Sequence, residues 1–149
     1  MVTADQVYAD PSALARLFLN QPGARELSLW RRRCRGSLPL THHGRVELAN
    51  ALALAAFRGD LEATDYTEAL AELADEFTSG RMVTADILWR TALNRAADLS
   101  SQYTPLLGTR AADVLHVACA LELKLSHFLT FDERQRKLAE TVGLKLIRF

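Results

Sequence analysis

Two carboxylates stand inside runs of apolar sequence. Asp113 lies in the apolar segment 110–121, and Glu47 lies in a second apolar segment, 46–57. Burial of an ionised carboxylate is unfavourable unless a cation or hydrogen bonds compensate it. Two further acids, Asp10 and Asp132, each follow a short β-rich segment. We therefore expect these four side chains to meet around a shared positive partner.

Four clustered carboxylates support metal-dependent chemistry. Like charges raise one another's pKa, so a carboxylate cluster without basic partners is favourable mainly around a divalent cation. Mg²⁺ and Mn²⁺ prefer oxygen ligands, and Mg²⁺ is commonly bound by a few carboxylates together with substrate phosphates. This pattern indicates hydrolysis of phosphodiester bonds with a metal ion activating water. The candidate catalytic and metal-binding residues are Asp10, Glu47, Asp113 and Asp132, with Ser12 and Thr130 supporting them.

The predicted elements bring these acids to one edge of a sheet. Short β-rich segments alternate with helical ones, which predicts an α/β fold with a short central parallel sheet flanked by helices. Ligands of such sheets bind outside the carboxyl ends of the strands. Asp10 and Asp132 fall at strand ends, and Glu47 and Asp113 fall near the first turns of helices. The predicted strands are 6–10, 38–41, 81–84, 126–131 and 144–149, the predicted helices are 13–19, 24–33, 44–58, 62–78, 85–100, 110–121 and 133–142, and 104–108 is a predicted loop.

The composition indicates one domain without a global charge. The chain has 149 residues, of which 49% are hydrophobic, and this length suffices for one core. Lys plus Arg and Asp plus Glu both number 18, so no global basic field favours nucleic acid and any RNA contact must be local. We predict a single domain spanning residues 1–149. The candidate RNA contacts are Arg31, Arg32, Arg33, Arg35 and Arg110.

Cysteine usage and hydropathy indicate a cytoplasmic protein. Cys34 and Cys119 are far apart and lack the spacing of metal ligands, which favours reduced thiols over a disulfide. No N-terminal run resembles a signal peptide, and no uninterrupted apolar stretch reaches bilayer length. We therefore expect no association with a membrane.

The histidines allow more than one interpretation. His116 shares a helix face with Asp113, but a hydrogen-bonded structural role is favoured for it because Mg²⁺ prefers oxygen ligands. His42 and His43 are expected at the surface or in a loop, with weak binding of a transition metal as the alternative.

Four short motifs carry a resemblance to a known family. They are Tyr8-Ala-Asp-Pro-Ser12, Val46-Glu-Leu-Ala-Asn50, Ala112-Asp-Val-Leu-His-Val-Ala118 and Leu129-Thr-Phe-Asp132. Each motif alone is weakly specific, but the four in this order and with these gaps resemble the PIN-domain ribonucleases. The resemblance is closest to the VapC-type toxins of bacterial toxin–antitoxin pairs.

The resemblance implies more than the residues alone indicate. It implies a PIN fold, a divalent-metal-dependent endoribonuclease, a cognate antitoxin and usually a homodimer. It assigns the metal site to Asp10, Glu47, Asp113 and Asp132, with Ser12 and Thr130 in support. Two alternatives stay open, namely a PIN nuclease of RNA processing without a toxin role and a module that binds RNA or metal without turnover. A gene for a small protein immediately upstream would favour the toxin.

Overall fold

The computed structural model describes residues 1–149, which form seven α-helices and five short strands. The strands are β1 (Val7–Ala9), β2 (Leu38–Thr41), β3 (Met82–Ala85), β4 (His127–Leu129) and β5 (Lys145–Leu146). The helices are α1 (Pro11–Leu14), α2 (Ala24–Arg33), α3 (His42–Phe57), α4 (Ala63–Thr78), α5 (Trp89–Leu107), α6 (Ala111–Glu122) and α7 (Glu133–Thr141). The predicted α/β architecture with a short parallel sheet and flanking helices is confirmed.

The strands form two parallel sheets, one with the order β1-β4-β5 and one that pairs β2 with β3. In the first sheet Val7 lies opposite His127 and Ala9 lies opposite Leu129, so β1 and β4 end at the same level. The pairing extends past the strands, since the backbone N–H of Asp10 donates to the carbonyl of Leu129 at 2.9 Å. The chain segments that carry Asp10 and Asp132 therefore leave the sheet side by side.

Two groups of buried apolar side chains cover the sheets. One contains Leu14, Leu27, Leu48 and Leu52 and packs helices α1 to α4 against the strands. The other packs α5, α6 and α7 around Phe128, Val114, Val117 and Leu138. Burial on both sides holds α3 and α6 firmly, so the side chains near their N-terminal ends have defined positions.

Helix α5 continues through the segment 104–108 that the sequence predicts as a loop. Pro105 lies in the last turn of this helix, where the loss of one backbone donor interrupts little of the hydrogen-bond ladder. Packing of α5 against α6 outweighs that local signal. Gly108 ends the helix with a φ of 67°, and its N–H donates to the carbonyl of Thr104 at 2.8 Å.

The final strand is shorter than the sequence predicts, and the cysteines and helices carry two further findings. The final strand covers only Lys145–Leu146 rather than 144–149, although the N–H of Ile147 still donates to the carbonyl of Phe128 at 3.0 Å. Cys34 and Cys119 are both buried free thiols. No helix combines the length and the apolar character that a membrane crossing requires.

Candidate active site

Asp10 is a buried carboxylate held by side chains from both ends of the sequence. It follows β1 and caps α1, where its Oδ2 accepts hydrogen bonds from the backbone N–H of Ser12 at 3.1 Å and from the Ser12 hydroxyl. Its Oδ1 accepts a hydrogen bond from Nε2 of Gln135 at 3.1 Å. Only 5% of the residue is exposed. Donors on both oxygens fix the orientation of this carboxylate, and Ser12 supplies two of them.

Gln135 connects the chain segments that carry the three aspartates. Its side chain is fully buried and also donates to the carbonyl of Asp113 at 3.1 Å, while its Oε1 accepts from the Thr130 hydroxyl at 2.6 Å. Its backbone N–H donates to Oδ1 of Asp132 at 2.8 Å, which caps α7. The Thr130 hydroxyl also accepts from the backbone N–H of Asp132 at 3.1 Å, so Thr130 contacts Gln135 and the Asp132 backbone but no carboxylate. The sequence analysis missed Gln135, although Asp132-Glu-Arg-Gln135 follows the spacing of a helix capping box.

Asp113 lies in the first turn of α6 and is half-buried. Burial raises the pKa of its carboxyl, and the negative charges of Asp132 and Asp10 raise it further. The geometric link among Asp10, Asp113 and Asp132 is Gln135, which donates a hydrogen bond to an oxygen of each of them. Their carboxylates do not form a group whose ligand atoms all lie within 4.8 Å of one another. We call these three residues the aspartate site.

Cation binding fits the donor set of the aspartate site. All its ligand atoms are carboxylate oxygens, which hard divalent ions prefer. Asp113 and Asp132 line an open polar pocket of about 390 Å³, whose remaining lining residues are Gly108, Arg110, Glu133 and Arg134. No lysine or arginine forms an ion pair with any of the three aspartates. An ion that enters this pocket would relieve the repulsion that the aspartates exert on one another.

Glu47, the fourth predicted acid, is engaged by histidines instead. Its Oε2 lies 2.6 Å from Nε2 of His116, and its Oε1 lies 2.9 Å from Nε2 of His43. Burial alone would raise the pKa of Glu47, but the hydrogen bond from His116 and the positive charges of both histidines lower it below its ordinary value. These side chains are a group of potential metal ligands whose ligand atoms all lie within 4.8 Å of one another. The four acids do not form such a group.

The histidines differ from one another in burial. His116 is 1% exposed, and its Nδ1 shares a hydrogen bond of 2.6 Å with the Tyr8 hydroxyl. It therefore has the hydrogen-bonded position that the sequence favours. His42 is exposed and lies 3.1 Å from Asp86, in agreement with a surface position. His43 lies in the first turn of α3 and is half-buried, with its ring packed edge-on with Trp89.

The structure does not favour the predicted RNA contact at Arg31. Its side chain is buried, and its guanidinium donates to the carbonyls of Cys34, Gly36 and Arg81, which fixes the turn between α2 and β2. The other candidates are exposed, namely Arg32, Arg33, Arg35 and Arg110.

Two further cations lie at the aspartate site, and the sequence analysis missed them. Arg16 donates to the carbonyl of Ser12 at 2.7 Å and stacks over the Phe131 ring, and Arg134 lines the polar pocket. These arginines reach the site only because the segment after α1 and helix α7 fold toward the same strand ends. No local motif predicts that arrangement.

Comparison with known families agrees with this geometry. A sequence model of the PIN domain family matches residues 7–141. Because this match covers most of the sequence, the chain belongs to the PIN domain family, and the predicted PIN-like fold is confirmed. PIN domains are generally nucleases and typically use a divalent metal ion. No curated protein gives a significant match to the chain.

Proposed function

We propose that this PIN-domain chain is a divalent-metal-dependent endoribonuclease and that it serves as the VapC-type toxin of a toxin–antitoxin module. The aspartate site would hold Mg²⁺ or Mn²⁺. Glu47 would be the fourth acid of the centre, since it is bonded to His116, which lies one turn along α6 from Asp113.

The observation that carries this proposal is that the three aspartates linked by Gln135 form no ion pair with a lysine or an arginine. Each is oriented by the fold, Asp10 by Ser12 and Gln135, and Asp132 by its position as a helix cap. A fold that holds carboxylates beside an open pocket without pairing them with a lysine or an arginine is well suited to bind a cation. Mutual repulsion of unneutralised carboxylates otherwise only lowers stability.

The remaining residues of the pocket suit an RNA phosphate. A bound divalent ion would activate water and neutralise charge on the phosphate during hydrolysis. Arg110 and Arg134 line the same pocket as Asp113 and Asp132, so they can contact neighbouring phosphates while the acids hold the ion. Gln135 would keep Asp10 and the start of α6 at a constant separation.

Cleavage of RNA by the purified protein tests the nuclease. A panel of fluorescent single-stranded RNAs would be incubated with partner-free protein and with Mg²⁺, Mn²⁺ or EDTA. We expect cutting with either ion and none with EDTA. Binding of RNA without cutting under every metal condition would favour the non-catalytic binding module, and equal cutting in EDTA would contradict the metal-dependent mechanism.

The toxin role is supported by the motif resemblance and by apolar surface that a partner could cover. Val46 and Phe57 on α3 are 67% and 88% exposed, and exposed apolar residues of this kind are common in protein contacts. Induced expression in a bacterial host should arrest growth, and co-expression of the protein encoded immediately upstream should restore it. Normal growth during expression of a protein that is active in vitro would instead favour the RNA-processing nuclease. A homodimer should appear as twice the chain mass in light scattering.

A further inference from the structure

A second group of potential metal ligands lies beside the aspartate site. His43 and Glu47 are four residues apart on α3 and therefore share one face of the helix. His116 reaches the same point from α6. We call these residues the histidine–glutamate cluster, and their ligand atoms all lie within 4.8 Å of one another.

One nitrogen of this cluster has no hydrogen-bond partner. Nε2 of His43 is buried and lies 2.9 Å from Oε1 of Glu47, yet no hydrogen bond of acceptable geometry satisfies it. An unsatisfied buried nitrogen is unfavourable unless another group meets it. The lone pair of a neutral imidazole is a metal ligand, so an ion between His43 and Glu47 would satisfy this atom.

His116 is oriented as a metal-binding histidine is. Its Nε2 faces Glu47, and its Nδ1 is bonded to the Tyr8 hydroxyl at 2.6 Å. A tyrosine hydroxyl both donates and accepts. Nδ1–H can therefore donate to Tyr8 while an ion takes the place of the hydrogen bond between Nε2 and Glu47, which is the usual arrangement of a ligating histidine and its outer hydrogen-bonding partner.

We propose that His43, Glu47 and His116 form a binding site for a transition-metal ion of the Zn²⁺ class, separate from the aspartate site but sharing Glu47 with the proposed nuclease centre. Two imidazole nitrogens and one carboxylate suit Zn²⁺ and related ions, whereas Mg²⁺ prefers oxygen alone. The site is open to solvent, because His43 and Glu47 line a pocket together with Leu93, Ala97 and Ala112.

The distances require only a small adjustment. Zn²⁺ binds nitrogen and oxygen at about 2.0–2.2 Å, which places tetrahedral ligands roughly 3.3 Å apart. The Glu47 oxygens lie 2.6 Å and 2.9 Å from the two histidine nitrogens. Each of these two nitrogen–oxygen distances therefore needs to increase by less than about 1 Å to admit the ion.

Zn²⁺ affinity of the metal-free protein tests this site without reference to RNA cleavage. A chromophoric zinc chelator would compete with the wild-type chain, His43→Ala and His42→Ala. His42 is the matched control, because it is the adjacent histidine but is exposed and faces Asp86. Asp113→Asn provides the second control, since it alters the aspartate site and leaves the cluster complete. Co²⁺ would replace Zn²⁺ in a parallel absorption measurement.

We expect one Zn²⁺ per chain and a visible absorption of bound Co²⁺ that indicates nitrogen ligands in a site of low coordination number. His43→Ala should weaken Zn²⁺ binding by more than about tenfold, which is the smallest usual effect of losing even an outer partner of a ligand. His42→Ala and Asp113→Asn should bind as the wild type does. Equal affinity of His43→Ala and wild type, or loss of binding only in Asp113→Asn, would overturn the proposal.

Discussion

Two acids of similar burial experience opposite electrostatic surroundings. The pKa of Asp113 is raised by burial and by neighbouring aspartates, whereas the pKa of Glu47 is lowered because histidines outweigh the effect of burial. A cation from outside the chain would offset the repulsion at Asp113, whereas Glu47 already contacts two histidines of the chain. This contrast separates the aspartate site from the histidine–glutamate cluster.

The lowered pKa of Glu47 predicts a pH-dependent contribution to stability. A carboxyl whose pKa is lower in the folded state stabilises the fold above its ordinary pKa, and this contribution is lost as the pH falls through the folded value. For Glu47 that loss lies below its ordinary value of 4.5. Metal-free Glu47→Gln should therefore unfold more easily at neutral pH, by about 1–3 kcal/mol, and the difference should shrink in acid.

Urea titrations at several pH values would measure this difference. Glu68→Gln is the matched control, because Glu68 is exposed on α4 and forms no ion pair. A difference between Glu47→Gln and wild type that stays constant from neutral pH to well below 4.5 would contradict the pairing of Glu47 with the histidines.

At the scale of elements, α7 positions the site although it carries only one of its acids. The side chain of Gln135 extends from α7 and donates to Asp10, which directly follows β1, and to the carbonyl of Asp113 in the first turn of α6. Its hydrogen bonds join three elements that are distant in sequence. The geometry of the aspartate site therefore depends on a residue that binds neither metal nor substrate in the proposed function.

Replacement of Gln135 by alanine should destabilise the chain and disturb the site. The change removes the acceptor of the Thr130 hydroxyl and the donor to Oδ1 of Asp10, together with one hydrogen bond to the Asp113 carbonyl. Each unsatisfied buried group costs about 1–3 kcal/mol, so we expect a total loss of roughly 3 kcal/mol in urea unfolding. Gln102→Ala is the control, since Gln102 is exposed on α5. Equal stability of the two variants would show that Gln135 does not connect these elements.

The sequence predicts the elements better than it predicts the contacts between them. Helix α2 has the predicted bounds 24–33, because its start after Gly23 and its apolar periodicity are local signals. Asp10, Asp113 and Asp132 are found from their places at strand ends and in a helix turn. The pairing of Glu47 with His43 follows from their spacing of four residues on α3, whereas its pairing with His116 depends on how α3 packs against α6. Local patterns carry no information on that packing, so they do not predict the contacts that His116 and Gln135 make with the acids.

At the scale of the whole molecule, the net charge is zero, so RNA must be attracted by local cations. The burial of Arg31 removes one candidate from the basic segment of α2. Arg110 is exposed, lines the pocket of the aspartate site and makes no side-chain hydrogen bond at the start of α6. It is therefore the best placed of the predicted contacts to bind a phosphate beside the acids.

Arg110→Ala should weaken RNA binding without loss of stability. Binding of a labelled single-stranded RNA would be measured in EDTA over a range of salt concentrations. Loss of one phosphate contact should reduce the slope of log affinity against log salt by about 0.7. Arg58→Ala is the control, because Arg58 is exposed at the opposite end of α3 from Glu47. An unchanged slope for Arg110→Ala would place the RNA elsewhere on the surface.

The most direct test of the aspartate site is cleavage of one RNA by wild type, Asp113→Asn and Asp98→Asn, prepared identically and assayed with Mg²⁺. Asp98 is an exposed acid on α5 and serves as the control. We expect Asp113→Asn to melt at or above the wild-type temperature without metal, because it removes a repelled charge, and to lose cleavage, while Asp98→Asn cuts normally. Full cleavage by folded Asp113→Asn would contradict a catalytic centre at these aspartates.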